Sequence, residues 1–186
     1  NRIFKSSQLL TSYKICKIKT PDLGQYGTHF YGETTVEIID GLKDYSELME
    51  KIFDFDQISD FLKKDFSLIF DAMNAVTGPY AKNIFVGKMG LPDDCIMNGT
   101  PLKDFGGLHP DPNLTYASNL SDLLLNKKYY SFGAACDGDG DRNMILGSGC
   151  FVNPSDSLAV IVANTVCVPG YKNGISGVAR LSLIHI

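Results

Sequence analysis

The chain has 186 residues, of which 44% are hydrophobic and 20% charged, with a formal net charge of −4. Those values allow one full domain with flanking pieces and exclude both a disordered tail and a fibre. Its longest apolar run, Leu158 to Ala163, falls far short of the roughly 18 residues a membrane span needs, and the acidic balance gives a nucleic-acid partner no electrostatic basis.

Charge is unevenly placed, because Arg2, Lys5, Lys14, Lys17 and Lys19 precede the first acid. A transit peptide would be Arg-rich, whereas this stretch has one Arg and opens on Asn1, so a truncated N-terminus is expected. The cysteines Cys16, Cys95, Cys136, Cys150 and Cys167 form no CxxC pair. Reduced core thiols of a cytoplasmic protein are expected from them.

From Thr34 onward the pattern predicts alternating strands and helices, the mark of a layered α/β domain. Thr35 to Ile39 reads as a strand closed by Asp40-Gly41. Leu42, Tyr45, Leu48, Met49, Ile52 and Phe53 recur at spacings of three and four, which predicts a helix, and a short second one follows through Ile58, Phe61 and Leu62. Ser67 to Phe70 predicts a strand running into Asp71, Gly78-Pro79 opens a helix that ends near Gly90, and Cys95 to Met97 gives another short strand. After a loop rich in Gly and Pro, Asn113 is expected to cap a helix out to Leu125. Phe132 to Cys136 and Met144 to Leu146 lie too close in sequence for a helical crossover and should pair antiparallel. Asn153-Pro154-Ser155-Asp156 signals the start of a helix through Leu158 to Val166, closed by Gly170 and Gly174. The expected architecture is a mixed β-sheet covered by helices.

The loop inside the hairpin reads Asp137-Gly138-Asp139-Gly140-Asp141-Arg142. Three carboxylates at alternating positions repel one another unless a cation joins them, and the intervening glycines let the backbone curl until the side chains converge. An EF-hand would need Gly and Glu where Arg142 and Ser148 stand, so it fails twice. A phosphatase built on Asp137 and Asp139 would leave Asp141 and Arg142 without roles. A third reading has the three aspartates holding Mg²⁺ while Arg142 contacts a phosphate. The last two readings stay open at this level, as does a plain Ca²⁺-binding module.

Three stretches carry a more specific signal: Phe105 to Ala117 (FGGLHPDPNLTYA), Phe132 to Gly147 (FGAACDGDGDRNMILG) and Phe151 to Ile161 (FVNPSDSLAVI). In these the chain resembles the α-D-phosphohexomutases, most of all the eukaryotic phosphoglucomutases with their parafusin-like relatives. The resemblance implies residues 1–34 as the end of a first, catalytic-serine domain, 35–175 as a metal-binding second domain, and 176–180 as the start of a third. Residues 181–186 (LSLIHI) depart from the family and read as a non-native tail. The implied activity is interconversion of glucose 1-phosphate and glucose 6-phosphate through a phosphoserine and glucose 1,6-bisphosphate, by a monomeric, cytoplasmic parent acting on a hexose phosphate. Asp137, Asp139 and Asp141 match the family's Mg²⁺ ligands, and Arg142 an arginine near the transferred phosphoryl group.

The family's T-A-S-H-N serine loop and its later sugar and phosphate loops do not occur in these residues. Ser118, in Thr115-Tyr116-Ala117-Ser118-Asn119, mimics the serine loop but falls on a predicted helix. A non-catalytic, parafusin-like phosphoprotein is the alternative. His109 is expected to hold its loop, Asp71 to cap a turn, and the ends of the chain to expose Phe4, Phe30 and Tyr31.

Overall fold

A computed structural model describes residues 2–15, 17–64 and 66–179. The described chain divides by its internal contacts into two compact units, with the boundary between Gly41 and Leu42.

The first unit holds helix α1 (Arg2–Gln8) and an antiparallel hairpin of β1 (Gly27–Tyr31) and β2 (Thr34–Ile38), paired from Gly27–Ile38 to Tyr31–Thr34. Neither α1 nor β1 was signalled by hydrophobic periodicity, because both are too short to show a repeat. The strand expected to open the second domain pairs with β1 in this hairpin. His29 donates from Nε2 to the Gln25 carbonyl at 2.8 Å, closing the approach to β1. Phe4 and Phe30 are exposed as expected, while Tyr31 is half-buried.

The second unit is built on a five-stranded sheet in the order β4-β3-β5-β6-β7. Its strands are β3 (Leu68–Asp71), β4 (Ile96–Met97), β5 (Phe132–Cys136), β6 (Asn143–Gly147) and β7 (Cys150–Val152). β3 runs parallel to both β4 and β5, and β5, β6 and β7 form an antiparallel meander. The sheet is therefore mixed, as expected, with β7 added beyond the predicted hairpin.

Alternation along β3 shows how the layers form, since successive side chains of a strand point to opposite faces. Leu68 packs with Met89, Leu91 and Cys95 and meets Ile58 and Leu62 of α3 (Phe55–Leu62) and Ile84 and Phe85 of the helix after β3. Ile69 packs on the other side with Leu120, Leu124, Ala135, Met144 and Leu146. The helix after β3 is regular over α4 (Thr77–Ala81) and widens to π geometry over Lys82–Lys88. Before it, α2 (Gly41–Ile52) meets α4 through an edge-on pair of rings, Tyr45 and Tyr80, at 5.2 Å.

Two boundaries differ from expectation. Asn113 does cap a turn, accepting the N–H groups of Thr115 and Tyr116 at 2.9 Å each. Ala117 then leaves helical geometry (φ −93, ψ 40), so the regular helix α5 begins at Ser118 and runs to Ser121, followed by a π segment over Asp122–Asn126. The helix α6 (Pro154–Ala163) starts where predicted, with Asn153 Oδ1 accepting from Ser155, but ends before Val166. Asn164 turns the chain there at φ −113.

The thiols are also less interior than expected: Cys95 is buried and Cys136 half-buried, while Cys150 and Cys167 are exposed. Cys16 lies outside the described residues. Residues 176–179 have irregular backbone; residue 180 and the expected non-native tail, 181–186, lie outside the described residues. No helix among the described residues is long and apolar enough to cross a membrane.

Candidate metal centre

The parallel strands β3, β4 and β5 end at one edge of the sheet, the edge where open α/β sheets receive ligands. The β5–β6 loop, residues 137–142, leaves the sheet there. Its first member, Asp137, is 1% exposed. Its Oδ1 accepts the backbone N–H groups of Gly140 and Arg142 at 3.0 Å each, and the same turn is closed by the Asp137 N–H donating to the Arg142 carbonyl. A single aspartate thus folds the loop back on itself. Gly140 makes this possible, because its φ of +80 is open to glycine and costly for other residues.

The fold brings Asp137, Asp139 and Asp141 together, with one carboxylate oxygen from each lying within 4.8 Å of the others. Asp139 and Asp141 are exposed and Asp137 is the buried anchor. The charges of Asp139 and Asp137, with some burial, hold the Asp141 carboxyl above the ordinary range, because like charges resist a second ionisation. Burial works in the same sense on Asp137 but is overcome by the backbone N–H and guanidinium of Arg142, and its carboxyl is held below the ordinary range.

Arg142 lies across the site. Its Nε donates to Asp137 Oδ2 at 2.7 Å and its Nη1 to Asp111 Oδ1 at 2.9 Å, while Asp141 Oδ1 stands 3.8 Å from Nε. These acids hold the guanidinium firmly protonated, Asp137 first among them. Among the described residues no hydrogen bond engages Nη2, which leaves that corner of the fork for an anion.

A second turn lies behind the loop. Phe105, Gly106 and Gly107 are all left-handed, with φ of 53, 66 and 75. The turn sets the Phe105 ring and Pro110 against Gly138, where an added Cβ would touch each at 3.5 Å. Asp111 follows between Pro110 and Pro112, residues whose rings restrict φ. Proline on both sides of an acid is the signal that could have singled out Asp111. His109 stacks on Tyr116 with centroids 4.1 Å apart, so it holds its loop through its ring. Ser118 is exposed at the start of α5.

Asp71 caps its turn as expected. Its Oδ1 accepts from Met73 N and Asn98 Nδ2, both at 2.8 Å. A cleft of about 450 Å³ lies beside the 137–142 loop, bounded by Asp139 and Gly140 on one side and by Tyr45, Phe70, Tyr80 and Phe85 on the other.

The donor set suits a hard divalent cation. It offers carboxylate oxygens, and three negative charges against one arginine leave a net charge of −2 at the loop. Oxygens sharing Mg²⁺ at about 2.1 Å stand no more than about 4.2 Å apart, so separations within 4.8 Å call for at most a slight closure of the loop.

The same residues lie inside the part of the chain that matches known proteins. The family described as phosphoglucomutase/phosphomannomutase, alpha/beta/alpha domain II, matches residues 43–148. Phosphoglucomutase 1, chloroplastic, of Marchantia polymorpha is 49% identical over 181 residues, covering 97% of this chain and 28% of that protein. The phosphoglucomutase of Aspergillus fumigatus is 50% identical over 183 residues, covering 97% of this chain and 33% of its own length. Among solved structures, the open form of the exocytosis-sensitive phosphoprotein pp63/parafusin (phosphoglucomutase) from Paramecium superposes with a TM-score of 0.74 at 47% identity, covering 83% of this chain and 29% of that one. The chain therefore spans about a third of the length of the relatives it matches. With the matching domain covering more than half of the chain, and the mixed sheet layered between helices as that domain's description requires, the chain belongs to the phosphoglucomutase/phosphomannomutase family.

Proposed function

We propose that these residues are the metal-binding portion of a phosphoglucomutase that interconverts glucose 1-phosphate and glucose 6-phosphate through a phosphoserine and glucose 1,6-bisphosphate. The observation that carries this reading is the convergence of Asp137, Asp139 and Asp141 on one loop, with Arg142 beside them, at the ligand-receiving edge of the sheet. In this reading Asp137, Asp139 and Asp141 hold Mg²⁺, which when bound would offset negative charge on a phosphoryl oxygen. Arg142 contributes its free corner to the same phosphoryl group as a charge-assisted contact. Residues 1–34 are assigned to the end of the catalytic-serine domain, 35–175 to the second domain and 176–180 to the start of the third. The parent is a monomeric cytoplasmic enzyme acting on a hexose phosphate.

The test is calorimetric titration of the 186-residue chain with Mg²⁺. Three carboxylates without a phosphate partner leave the ion several waters, so weak binding is expected, and Asp139→Asn should weaken it about tenfold for the loss of one charged ligand. Unchanged affinity in that variant would sink the ligand assignment. The same chain should form no glucose 6-phosphate from glucose 1-phosphate, Mg²⁺ and the bisphosphate. Phosphoryl transfer needs nucleophile, metal and sugar contacts fixed together, and the family's serine and sugar loops do not occur in these residues.

A further inference from the structure

Each glycine of the 137–142 loop is pressed by a side chain from a distant segment. A Cβ on Gly138 would meet the Phe105 ring and Pro110 at 3.5 Å, and one on Gly140 would stand 2.8 Å from Thr77 Cγ2. Phe105 thus lies against the bend between Asp137 and Asp139, and Thr77 against the bend between Asp139 and Asp141. Where these two side chains stand decides how the three carboxylates converge.

Phe105 keeps its place under strain. Its φ of +53 is left-handed, which is costly for a bulky residue and lasts only where the surroundings over-determine it. The turn closes on itself, with Phe105 N donating to the Leu102 carbonyl at 3.0 Å and Leu108 N to the Phe105 carbonyl at 3.2 Å. What ties that turn to the sheet is Asn74. Its Nδ2 donates to the Thr100 carbonyl and its carbonyl accepts the Leu102 N–H, both at 2.9 Å. Among the described residues, these are the two hydrogen bonds that join 99–108 to the rest of the unit. The Asn74 N–H donates to the Asn98 carbonyl at 2.9 Å, and Oδ1 would stand 3.1 Å from a Cβ on Gly106. Asn74 lies in the connection from β3 to α4, which Thr77 opens. One residue therefore links the segment of Thr77 to that of Phe105. Asparagine suits the task, because it takes a φ of +53 more readily than most side chains and carries an amide donor.

We propose that Asn74 is a positioning residue for the 137–142 loop: it fixes Phe105 relative to Thr77, and so sets how the two bends of the loop present Asp137, Asp139 and Asp141 to a divalent cation. This rests on the metal reading above and adds the residue that keeps the loop in shape for it.

The test is a double-mutant cycle in the 186-residue chain, with Mg²⁺ titrated while the amide shifts of residues 137–142 are followed by NMR. Asn74→Gly removes the bond to Thr100 but accepts the left-handed backbone and keeps its two hydrogen bonds. The urea midpoint should stay near that of the parent, while Mg²⁺ binding weakens by about tenfold, as for other residues that orient ligands from behind. In a Phe105→Ala background the same change should alter affinity by less than about twofold, because the ring it positions is gone. Equal losses in both backgrounds would overturn the proposal, as would undiminished binding in Asn74→Gly. A second readout needs no cation. The Gly140 and Arg142 amides, which donate to Asp137 Oδ1, should exchange their hydrogens faster in Asn74→Gly, with the amides of β5 and β6 keeping their rates. Unchanged loop rates overturn the proposal, and so does an equal rise across β5 and β6, which would mark a general loss of stability. Should Asp139→Asn bind Mg²⁺ as tightly as the parent chain, the metal assignment fails, and the exchange rates alone then decide the role of Asn74.

Discussion

Asp71 and Asp137 stand at the same edge of the sheet, at the carboxyl ends of the neighbouring parallel strands β3 and β5, and are 3% and 1% exposed. Each accepts two N–H groups on one oxygen and each fixes the turn that follows it. Their electrostatics are opposite. Burial pushes the Asp71 carboxyl above the ordinary range, and the Asn98 amide and Met73 N–H only moderate it. Asp137 is as little exposed but has far less protein packed around it, and the Arg142 N–H and guanidinium carry its carboxyl below that range. Asp71 holds together a set of left-handed residues, Met73, Asn74 and Asn98, with φ of 52, 53 and 48; Asp137 holds together a group of carboxylates. A buried aspartate at a strand end is therefore not by itself the mark of a site. The cationic partner and the neighbouring acids are.

The largest expected effect comes from the aspartate that pairs with arginine. Asp137→Ala orphans the Gly140 and Arg142 N–H groups, at about 1 kcal/mol each, so urea denaturation should show a loss of about 2 kcal/mol at neutral pH. Because the folded carboxyl titrates below its unfolded value, its contribution is present above that value and is lost as pH falls through the folded one. The gap between parent and variant should accordingly close in acid. A gap independent of pH would mean that charge has no part in the loop's stability.

Gly140→Ala tests the loop without touching a carboxylate. It puts a Cβ at φ +80 and 2.8 Å from Thr77 Cγ2. A loss of about 1 to 2 kcal/mol, accompanied by weaker Mg²⁺ binding, is expected in urea denaturation and titration. Full retention of both would show that the loop tolerates another backbone path.

Asp71→Asn should have the smallest effect and the opposite sign. Its folded carboxyl titrates above the unfolded value, so the stability it adds is complete below the unfolded value and is lost as pH rises through the folded one. Asparagine keeps the accepting oxygen without the buried charge. The variant should match the parent in acid and equal or exceed it by up to about 1 kcal/mol at pH 7, with Mg²⁺ binding unchanged. A neutral-pH loss of 2 kcal/mol or more would mean that Asp71 is kept charged for a task the structure does not reveal.

Much of this molecule follows from local sequence. The stripe from Leu42 to Phe53, the capping residues Asn153 and Pro154, and the antiparallel pairing of Phe132–Cys136 with the strand after it are consequences of periodicity, cap chemistry and a short connection, all of which operate within a dozen residues. The alternation of Asp and Gly over 137–141 likewise announces convergent carboxylates, because the spacing alone requires a turn. What the residues could not announce depends on groups far apart in the chain. Asp111 reaches Arg142 across 31 positions and Asn98 reaches Asp71 across 27, and neither pairing has a local pattern. The short elements α1, β1 and β7 carry too few residues for a period to show, and β7 is defined only by pairing along β6. The sequence by itself determined which acids could converge on a cation and where the longer, periodic helices and strands of the second unit would lie. Tertiary structure alone decided in which direction each buried aspartate's carboxyl shifts, since that depends on whether the sheet places an amide or a guanidinium beside it.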